Sequence, residues 1–274
     1  MDTHLHLFLA ISCFCFGAIV GSFLNVVILR LPRDESLAYP PSRCPHCGHP
    51  IRGYDNIPIV SYLVLLGKCR DCGSRISGRY PLIEAVTGML ATALYLKDGI
   101  TPASCVFFLF CAAMVVVFWI DYYHMIIPDV ISLNGLALGV IASTVQWIPG
   151  MTWSTSLLGA LAGGLILYLP AVIYEKVRGM EGLGRGDIKL LAMIGAFIGP
   201  VGVVFVLFFS SLTGSLAALV TLLRGAHATT PIPFGPFLTG SAVFFVFVGA
   251  DVIDYAAELS FRYWAWFTAL SAHL

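Results

Sequence analysis

The stretch "LFLAISCFCFGAIVGSFLNVVIL" (7–29) decides the fold class of this chain, because it contains no charged side chain. A membrane-spanning helix needs about 20 predominantly apolar residues, so this run is long enough to cross a bilayer. No lysine or arginine precedes the run and no small-residue cleavage pattern follows it, although both are typical of a removable signal peptide. We therefore predict a signal anchor that stays in the membrane.

The composition of the whole chain extends this prediction. Of its 274 residues, 58% are hydrophobic and only 11% are charged, whereas about a quarter of the residues of a soluble protein are charged. The mean hydropathy is +0.89. Further apolar runs of spanning length, or close to it, lie at 82–96, 103–120, 130–148, 155–174, 188–199, 201–223 and 236–254. We predict an all-α polytopic membrane protein with about eight transmembrane helices, in contact with membrane lipid.

Two segments depart from this simple pattern. The run 188–199 would cover only about 18 Å of a hydrocarbon core that is about 30 Å thick, and Gly199-Pro200 predicts a break after it. It is either a short or tilted crossing or a re-entrant helix. The aromatic segment "FRYWAWFTAL" (261–270) is typical of an anchor at the membrane interface.

The distribution of basic residues predicts the topology. Of the 15 Lys and Arg residues, 12 lie in segments 30–80 and 175–189. The positive-inside rule places both segments in the cytoplasm. Counting crossings then places the N-terminus in the periplasm and the turn 121–129 in the cytoplasm. The formal net charge is zero, so the overall charge indicates no nucleic-acid partner.

The first cytoplasmic segment carries a metal-binding pattern, "CPHCGHPIRGYDNIPIVSYLVLLGKCRDCG" (44–73). Two CxxC pairs separated by 21 residues suit a tetrahedral four-thiolate zinc site, with the ligands Cys44, Cys47, Cys69 and Cys72. A loop of this size cannot build a large core, so a structural metal would supply the missing stability. Two disulfide or redox pairs are the alternative, which a cytoplasmic location disfavours. His46 and His49 could also substitute as ligands.

Two carboxylates fall at a similar depth on the cytoplasmic side. Asp121 ends one apolar run, and Asp187 begins another within "GLGRGDIK" (182–189). Such a pair could form an aspartic-protease dyad, in which one carboxylate activates water and the other polarises the scissile carbonyl. Gly184 and Gly186 predict a flexible loop where an extended peptide lies beside Asp187. A helix cap at Asp187 and a proton or cation relay in a transporter are the alternatives.

Several ordered motifs resemble the type IV prepilin peptidases, which are bifunctional leader peptidase/N-methyltransferases. The motifs are "GSFLNVVILRLP" (21–32), "RCPHCGHPI" (43–51), "DNIPIVSYL" (55–63), "GKCRDCG" (67–73), "ISGRYPLIEAVTG" (76–88), "IDYYHMIIPD" (120–129) and "GLGRGDIKLLAMIGAFIG" (182–199). The resemblance covers roughly residues 17–224. It implies an inner-membrane aspartic protease of the GxGD type with its active site facing the cytoplasm.

The resemblance also implies residue roles. The catalytic aspartates of the family fall on Asp121 and Asp187, its methyltransferase-linked glycine-lysine pair falls on Gly67 and Lys68, and its zinc-linked cysteines fall on the four residues named above. It implies cleavage of the basic leader of prepilins or secretion pseudopilins, and methylation of the new N-terminus with S-adenosylmethionine. The resulting division is a first anchor (1–29), a zinc loop linked to methyl transfer (30–80) and a polytopic peptidase domain (81–274).

Two functions of another class remain open at this point, namely a zinc-containing membrane scaffold and a proton-coupled transporter. A zinc loop of about 50 residues suits docking or a second catalytic site better than a pore. The sequence also contains no inverted repeat, a feature on which many transporters are built.

Overall fold

A computed structural model describes residues 3–179, 184–225 and 232–271 of the chain. The described residues are helical apart from turns, loops and two isolated bridges, which confirms the all-α prediction. The helices are α1 Thr3–Arg30, α2 Val60–Val64, α3 Arg79–Asp98, α4 Pro102–His124, α5 Asp129–Thr144, α6 Trp153–Arg178, α7 Arg185–Leu223 and α8 Gly235–Ser271.

The predicted apolar runs lie in the long helices, except that 130–148 extends beyond the end of α5. Runs 188–199 and 201–223 share α7, where Gly199 has non-helical angles (φ 71°, ψ 178°) directly before Pro200. Gly199 tolerates this conformation because it has no Cβ, and Pro200 removes a backbone donor, so the predicted break is confirmed.

Four of the described helices, α1, α4, α6 and α7, are each long and apolar enough to cross a membrane. A bent pair within α8 brings the number to five if its two parts form one span. The α5 helix is apolar but has only 16 residues. The structure therefore supports a polytopic membrane protein, while the expected eight crossings stay a prediction.

Glycines let α6 and α7 pack with their backbones in contact. A Cβ atom added to Gly159 would lie 2.1 Å from the carbonyl oxygen of Gly195, and one added to Gly163 would lie 2.3 Å from that of Leu191. Any side chain at these positions would overlap the neighbouring helix. Small residues at helix interfaces are typical of membrane bundles, where close backbone approach provides the packing.

The central buried helix is α4, and it also contacts the first half of α7. The rings of Phe110 in α4 and Phe197 in α7 lie 4.6 Å apart between centroids, and both side chains are fully buried. The N-terminal half of α8 packs against both helices. The three helices thereby bring the last turn of α4 and the first turns of α7 and α8 to one end of the bundle.

Candidate active site and metal centre

Asp121 lies in the last turn of α4 and its residue is only 5% exposed. The helix ends because Met125 adopts a left-handed conformation (φ 53°) and donates its N–H to the Asp121 carbonyl. Burial of a carboxylate at the end of an apolar helix is costly unless other groups compensate its charge. The carboxylate therefore needs a partner from another helix.

Gly235, the first residue of α8, supplies that partner. Its N–H donates to Asp121 Oδ2 at 2.9 Å, in a buried hydrogen bond. The first N–H groups of a helix have no partner inside the helix and carry its positive partial charge, so this end of α8 stabilises a negative charge on Asp121. The sequence reasoning missed Gly235. The available signal was "PFGPF" (233–237), where Pro236 sits in the first turn of α8, a position that favours proline.

Asp187 lies in the first turn of α7, which contacts the turn after α4. A Cβ atom added to Gly186 would lie 2.9 Å from Ile127 Cβ, so only glycine permits this approach. The ammonium group of Lys189 contacts both carboxylate oxygens of Asp129, at 2.7 and 2.8 Å. Asp129 opens α5, and its pairing with Lys189 connects the start of α7 to the segment that follows Asp121.

The structure brings the carboxylates of Asp121 and Asp187 close enough for their charges to interact. Their surroundings differ. Asp121 accepts the Gly235 N–H, whereas Asp187 is half-buried and accepts no hydrogen bond from the described part of the chain. A helix cap would accept a backbone N–H, so this geometry favours a dyad over the cap reading of Asp187.

The glycines before Asp187 differ from the predicted flexible loop. Gly184 is the N-cap of α7 with φ −64° and ψ 127°, and Gly186 already lies inside the helix. Neither has a left-handed conformation, so both act here by allowing close approach. A Cβ atom on Gly184 would lie 3.1 Å from Asp187 Oδ2. Gly182 and Leu183 of the same motif lie outside the described residues.

The four loop cysteines converge on one point. Their sulfur atoms all lie within 4.8 Å of one another, and the Sγ atoms of Cys44 and Cys72 are 3.8 Å apart. Zinc–sulfur bonds of about 2.3 Å in a tetrahedron place sulfurs about 3.8 Å apart, so the cluster fits a Zn²⁺ ion. His46 and His49 are not members of this cluster. None of the four cysteines forms a disulfide.

Each CxxC pair forms a tight knuckle. The N–H of Cys44 donates to His49 O at 2.9 Å, and the N–H of Cys69 donates to Ser74 O at 2.8 Å. The glycine after each pair has positive φ, 71° at Gly48 and 69° at Gly73, a conformation that glycine adopts without strain.

Hydrogen bonds prepare Cys44 to bind metal as a thiolate. The backbone N–H groups of Cys47 and His46 and the hydroxyl of Ser74 lower the pKa of Cys44 to about 6. The thiolate is the form that binds zinc, so this ligand is available at neutral pH.

We expect Cys44→Ser to release the metal, because three thiolates and a hydroxyl form a much weaker zinc site. Elemental analysis should find about one zinc per parental chain, as one four-thiolate site requires. Zinc affinity should also fall as the pH is lowered, because all four cysteines must lose their protons to bind the metal. Cys15→Ser is the matched control, because Cys15 is an exposed cysteine of α1 outside the cluster. A parental protein with an ordered loop and no bound zinc would contradict the assignment.

Gly67 and Lys68 lie beside the second knuckle. Gly67 is buried with φ 67°, and a Cβ atom there would meet the Tyr62 ring at 3.0 Å. Lys68 is exposed, and its backbone forms a bridge with Arg75. Neither residue belongs to the helices that carry Asp121 and Asp187.

Comparison with known proteins gives a consistent result. A family model described as the bacterial peptidase A24 N-terminal domain matches residues 15–97, and one described as the type IV leader peptidase family matches residues 108–219. A prepilin leader peptidase/N-methyltransferase of Pseudomonas aeruginosa is 38% identical over 246 residues, covering 81% of this chain and 84% of the relative.

Two further relatives carry the same name. The protein of Burkholderia pseudomallei strain 1026b is 36% identical over 259 residues, covering 85% of this chain and 83% of the relative. The protein of Aeromonas hydrophila is 36% identical over 250 residues, covering 82% and 86%, respectively. No solved structure matches the chain.

Proposed function

The chain belongs to the type IV leader peptidase family, and from this membership we propose that it cleaves the leader peptide of prepilins and then N-methylates the exposed residue. The observation that carries the cleavage proposal is the convergence of Asp121 and Asp187 from α4 and α7. The substrates are type IV prepilins or type II secretion pseudopilins, whose leaders are short and basic.

The two aspartates have different roles in the proposed hydrolysis. Ionised Asp121, stabilised by the Gly235 N–H, takes a proton from water while the water oxygen attacks the scissile carbonyl carbon. Protonated Asp187 gives its proton to the carbonyl oxygen, which forms a tetrahedral gem-diol. Asp121 then protonates the leaving nitrogen, Asp187 recovers a proton from one hydroxyl, and the C–N bond breaks. Both side chains return to their starting states.

The proposed orientation puts this chemistry on the cytoplasmic side of the bacterial inner membrane. The concentration of Lys and Arg in segments 30–80 and 175–189 supports this orientation. The basic leader of a prepilin remains in the cytoplasm, where it can reach the dyad. The N-terminus of the enzyme then lies in the periplasm.

The zinc loop is the proposed location of the methyltransferase activity. The four sulfurs would hold Zn²⁺ as a structural ion, because four protein ligands leave no open position on the metal. When bound, S-adenosylmethionine supplies a methyl group that the neutral N-terminal amine attacks, with the carbon–sulfur electron pair leaving on sulfur and the nitrogen then losing a proton.

Mass spectrometry of the N-terminus of a co-expressed prepilin tests both activities in one spectrum. The proposed function requires loss of the leader and a mass gain of one methyl group on the mature chain. An uncleaved prepilin beside well-folded enzyme would favour a transporter or a scaffold instead. A cleaved but unmethylated product would restrict the proposal to the peptidase.

We expect Lys68→Ala to lower methylation while leaving cleavage largely intact. The reason is position, because Lys68 is exposed beside the second knuckle and is not part of α4 or α7, which carry the two aspartates. The same spectrum reports both yields, and Lys176→Ala, in α6, is the matched control. An equal loss of both activities would mean that this part of the loop serves structure or substrate docking.

A further inference from the structure

A cavity of about 660 Å³ lies between the zinc loop and the ends of α1 and α3. Asn25 of α1, Tyr62 of the loop, and Arg79 and Glu84 of α3 are among the residues that line it. Its volume lies in the range of about 300–1,000 Å³ that is typical of small-molecule sites. The aspartate dyad is not part of this lining, so the cavity is a separate site.

Asn25 contributes an unpaired acceptor to the cavity wall. Its residue is 3% exposed, and its amide nitrogen donates to the carbonyls of Gly21 and Tyr80, both at 3.2 Å. Its Oδ1 atom has no hydrogen-bond partner among the described residues. Buried polar atoms are almost always hydrogen-bonded, so this oxygen is available to accept a donor from a bound molecule.

Glu84 places a buried carboxylate on the same wall. It is 8% exposed and no Lys or Arg pairs with it in the described part of the chain. Its partners are neutral donors, the Ile59 N–H at 2.7 Å and the Ser22 hydroxyl. Ile59 is a β-branched residue with φ 63°, a strained conformation that aims its N–H at this carboxylate. The loop thus holds Glu84 in place without neutralising its charge.

Arg79 contributes a cationic hydrogen-bond donor to the cavity wall. Its guanidinium stacks 5.3 Å from the ring centroids of both Tyr80 and Tyr123. Its buried Nε atom has no hydrogen-bond partner in the part of the chain that the structure describes. The wall therefore combines an unpaired amide oxygen and a carboxyl group that only neutral donors contact with an unpaired cationic donor. This combination suits a zwitterion that carries both an ammonium group and a carboxylate.

We infer that this cavity binds S-adenosylmethionine through its amino-acid portion, with the ammonium group at Asn25 and Glu84 and the carboxylate at Arg79. The inference rests on the proposed methyltransferase function. Two features relate the cavity to the other residues of the proposed mechanism. Gly67 packs on the Tyr62 ring, and Tyr123 follows Asp121 by two residues in α4. Tyr123 of the cavity wall and Asp121 thus lie in the same last turn of α4.

The test is calorimetric binding of S-adenosylmethionine to the purified, zinc-loaded, full-length protein. Glu84→Gln keeps an acceptor for the Ile59 N–H but removes the charge. We expect it to weaken binding by about tenfold or more, as loss of a hydrogen bond to a charged group does. Glu175→Gln makes the same charge change at an exposed residue of α6 that does not line the cavity, and it should change affinity less than about twofold. Zinc content and melting temperature establish that each variant is folded.

Photochemical labelling of the parental protein with S-adenosylmethionine provides a second measurement that needs no variant. The label should map to the peptides around Asn25, Tyr62 or Glu84. Parental affinity in folded Glu84→Gln, or a label on α5 to α8, would overturn the inference while leaving the methyltransferase proposal intact. Absence of any binding by the parental protein would overturn both.

Discussion

Replacing either Asp121 or Asp187 with asparagine should abolish leader cleavage, with a loss of about 10²–10⁴-fold or more, the range for removal of a general acid or base. Asparagine keeps the size of the side chain and can still accept a hydrogen bond from Gly235. It cannot hold the proton that the pair exchanges with water and substrate. Cleavage of a purified prepilin by well-folded, zinc-loaded enzyme measures the effect.

The double variant tests whether the two aspartates act together in one step or contribute independently to the cleavage rate. Residues that act together in one step are non-additive, so Asp121→Asn with Asp187→Asn should be no slower than either single change. Asp129→Asn is the matched control. Asp129 forms an exposed ion pair with Lys189, and such pairs contribute only about 0–1 kcal/mol. Near-parental cleavage by Asp187→Asn would contradict the protease mechanism. It would favour the alternatives, a proton-coupled transporter or a zinc-containing membrane scaffold.

Gly235→Ala should also lower cleavage strongly, by about 10²-fold, although the change adds a single methyl group. A Cβ atom at this position would lie 2.6 Å from Asp121 Oδ2 and 3.0 Å from its Cγ, so the carboxylate or the start of α8 must move. A displacement of about 1 Å at a catalytic group can cost about 10²-fold in rate. Alanine forms helices better than glycine, so loss of helix propensity cannot explain the expected defect.

Gly240→Ala provides the matched control in the same helix. A Cβ atom on Gly240 would meet nothing within 4 Å, so this variant should cleave at nearly the parental rate. Cleavage rates and melting curves measured on both variants distinguish the two causes. A displaced carboxylate lowers the rate alone, whereas an unfolded helix also lowers the melting temperature. Equal rates for Gly235→Ala and the parental enzyme would show that the Gly235 contact does not position Asp121.

Local patterns in the sequence were sufficient for the helices and for the metal site. The two CxxC pairs specify both knuckles because each knuckle closes within a few residues, and the glycine after each pair meets a local conformational requirement. The break at Gly199 was equally predictable from its proline neighbour. The distribution of Lys and Arg also predicted that Asp121 and Asp187 lie on the same side of the membrane. Their proximity, however, depends on how separate helices pack.

Contacts between residues far apart in the chain could not be predicted from the sequence. The Gly235 N–H meets Asp121 across 114 positions of chain, and no periodicity reports such a contact. The unpaired Asn25 oxygen and the strained Ile59 backbone are similarly invisible, since both depend on how the zinc loop folds back over α1 and α3. Gly186 was predicted to lie in a flexible loop because glycine favours loops. It lies inside a helix instead, where the close approach of Ile127 leaves no room for a side chain.

The backbone contact between α6 and α7 has a consequence for genetics. Gly159, Gly163 and Gly195 leave no room for any side chain, so every missense change at these positions prevents the two helices from meeting. A screen for strains that fail to cut prepilins would recover these glycines beside the proposed dyad of Asp121 and Asp187, with equally complete phenotypes. Protein abundance would tell the two groups apart, since a catalytic substitution leaves the enzyme in the membrane and a packing substitution exposes it to proteolysis.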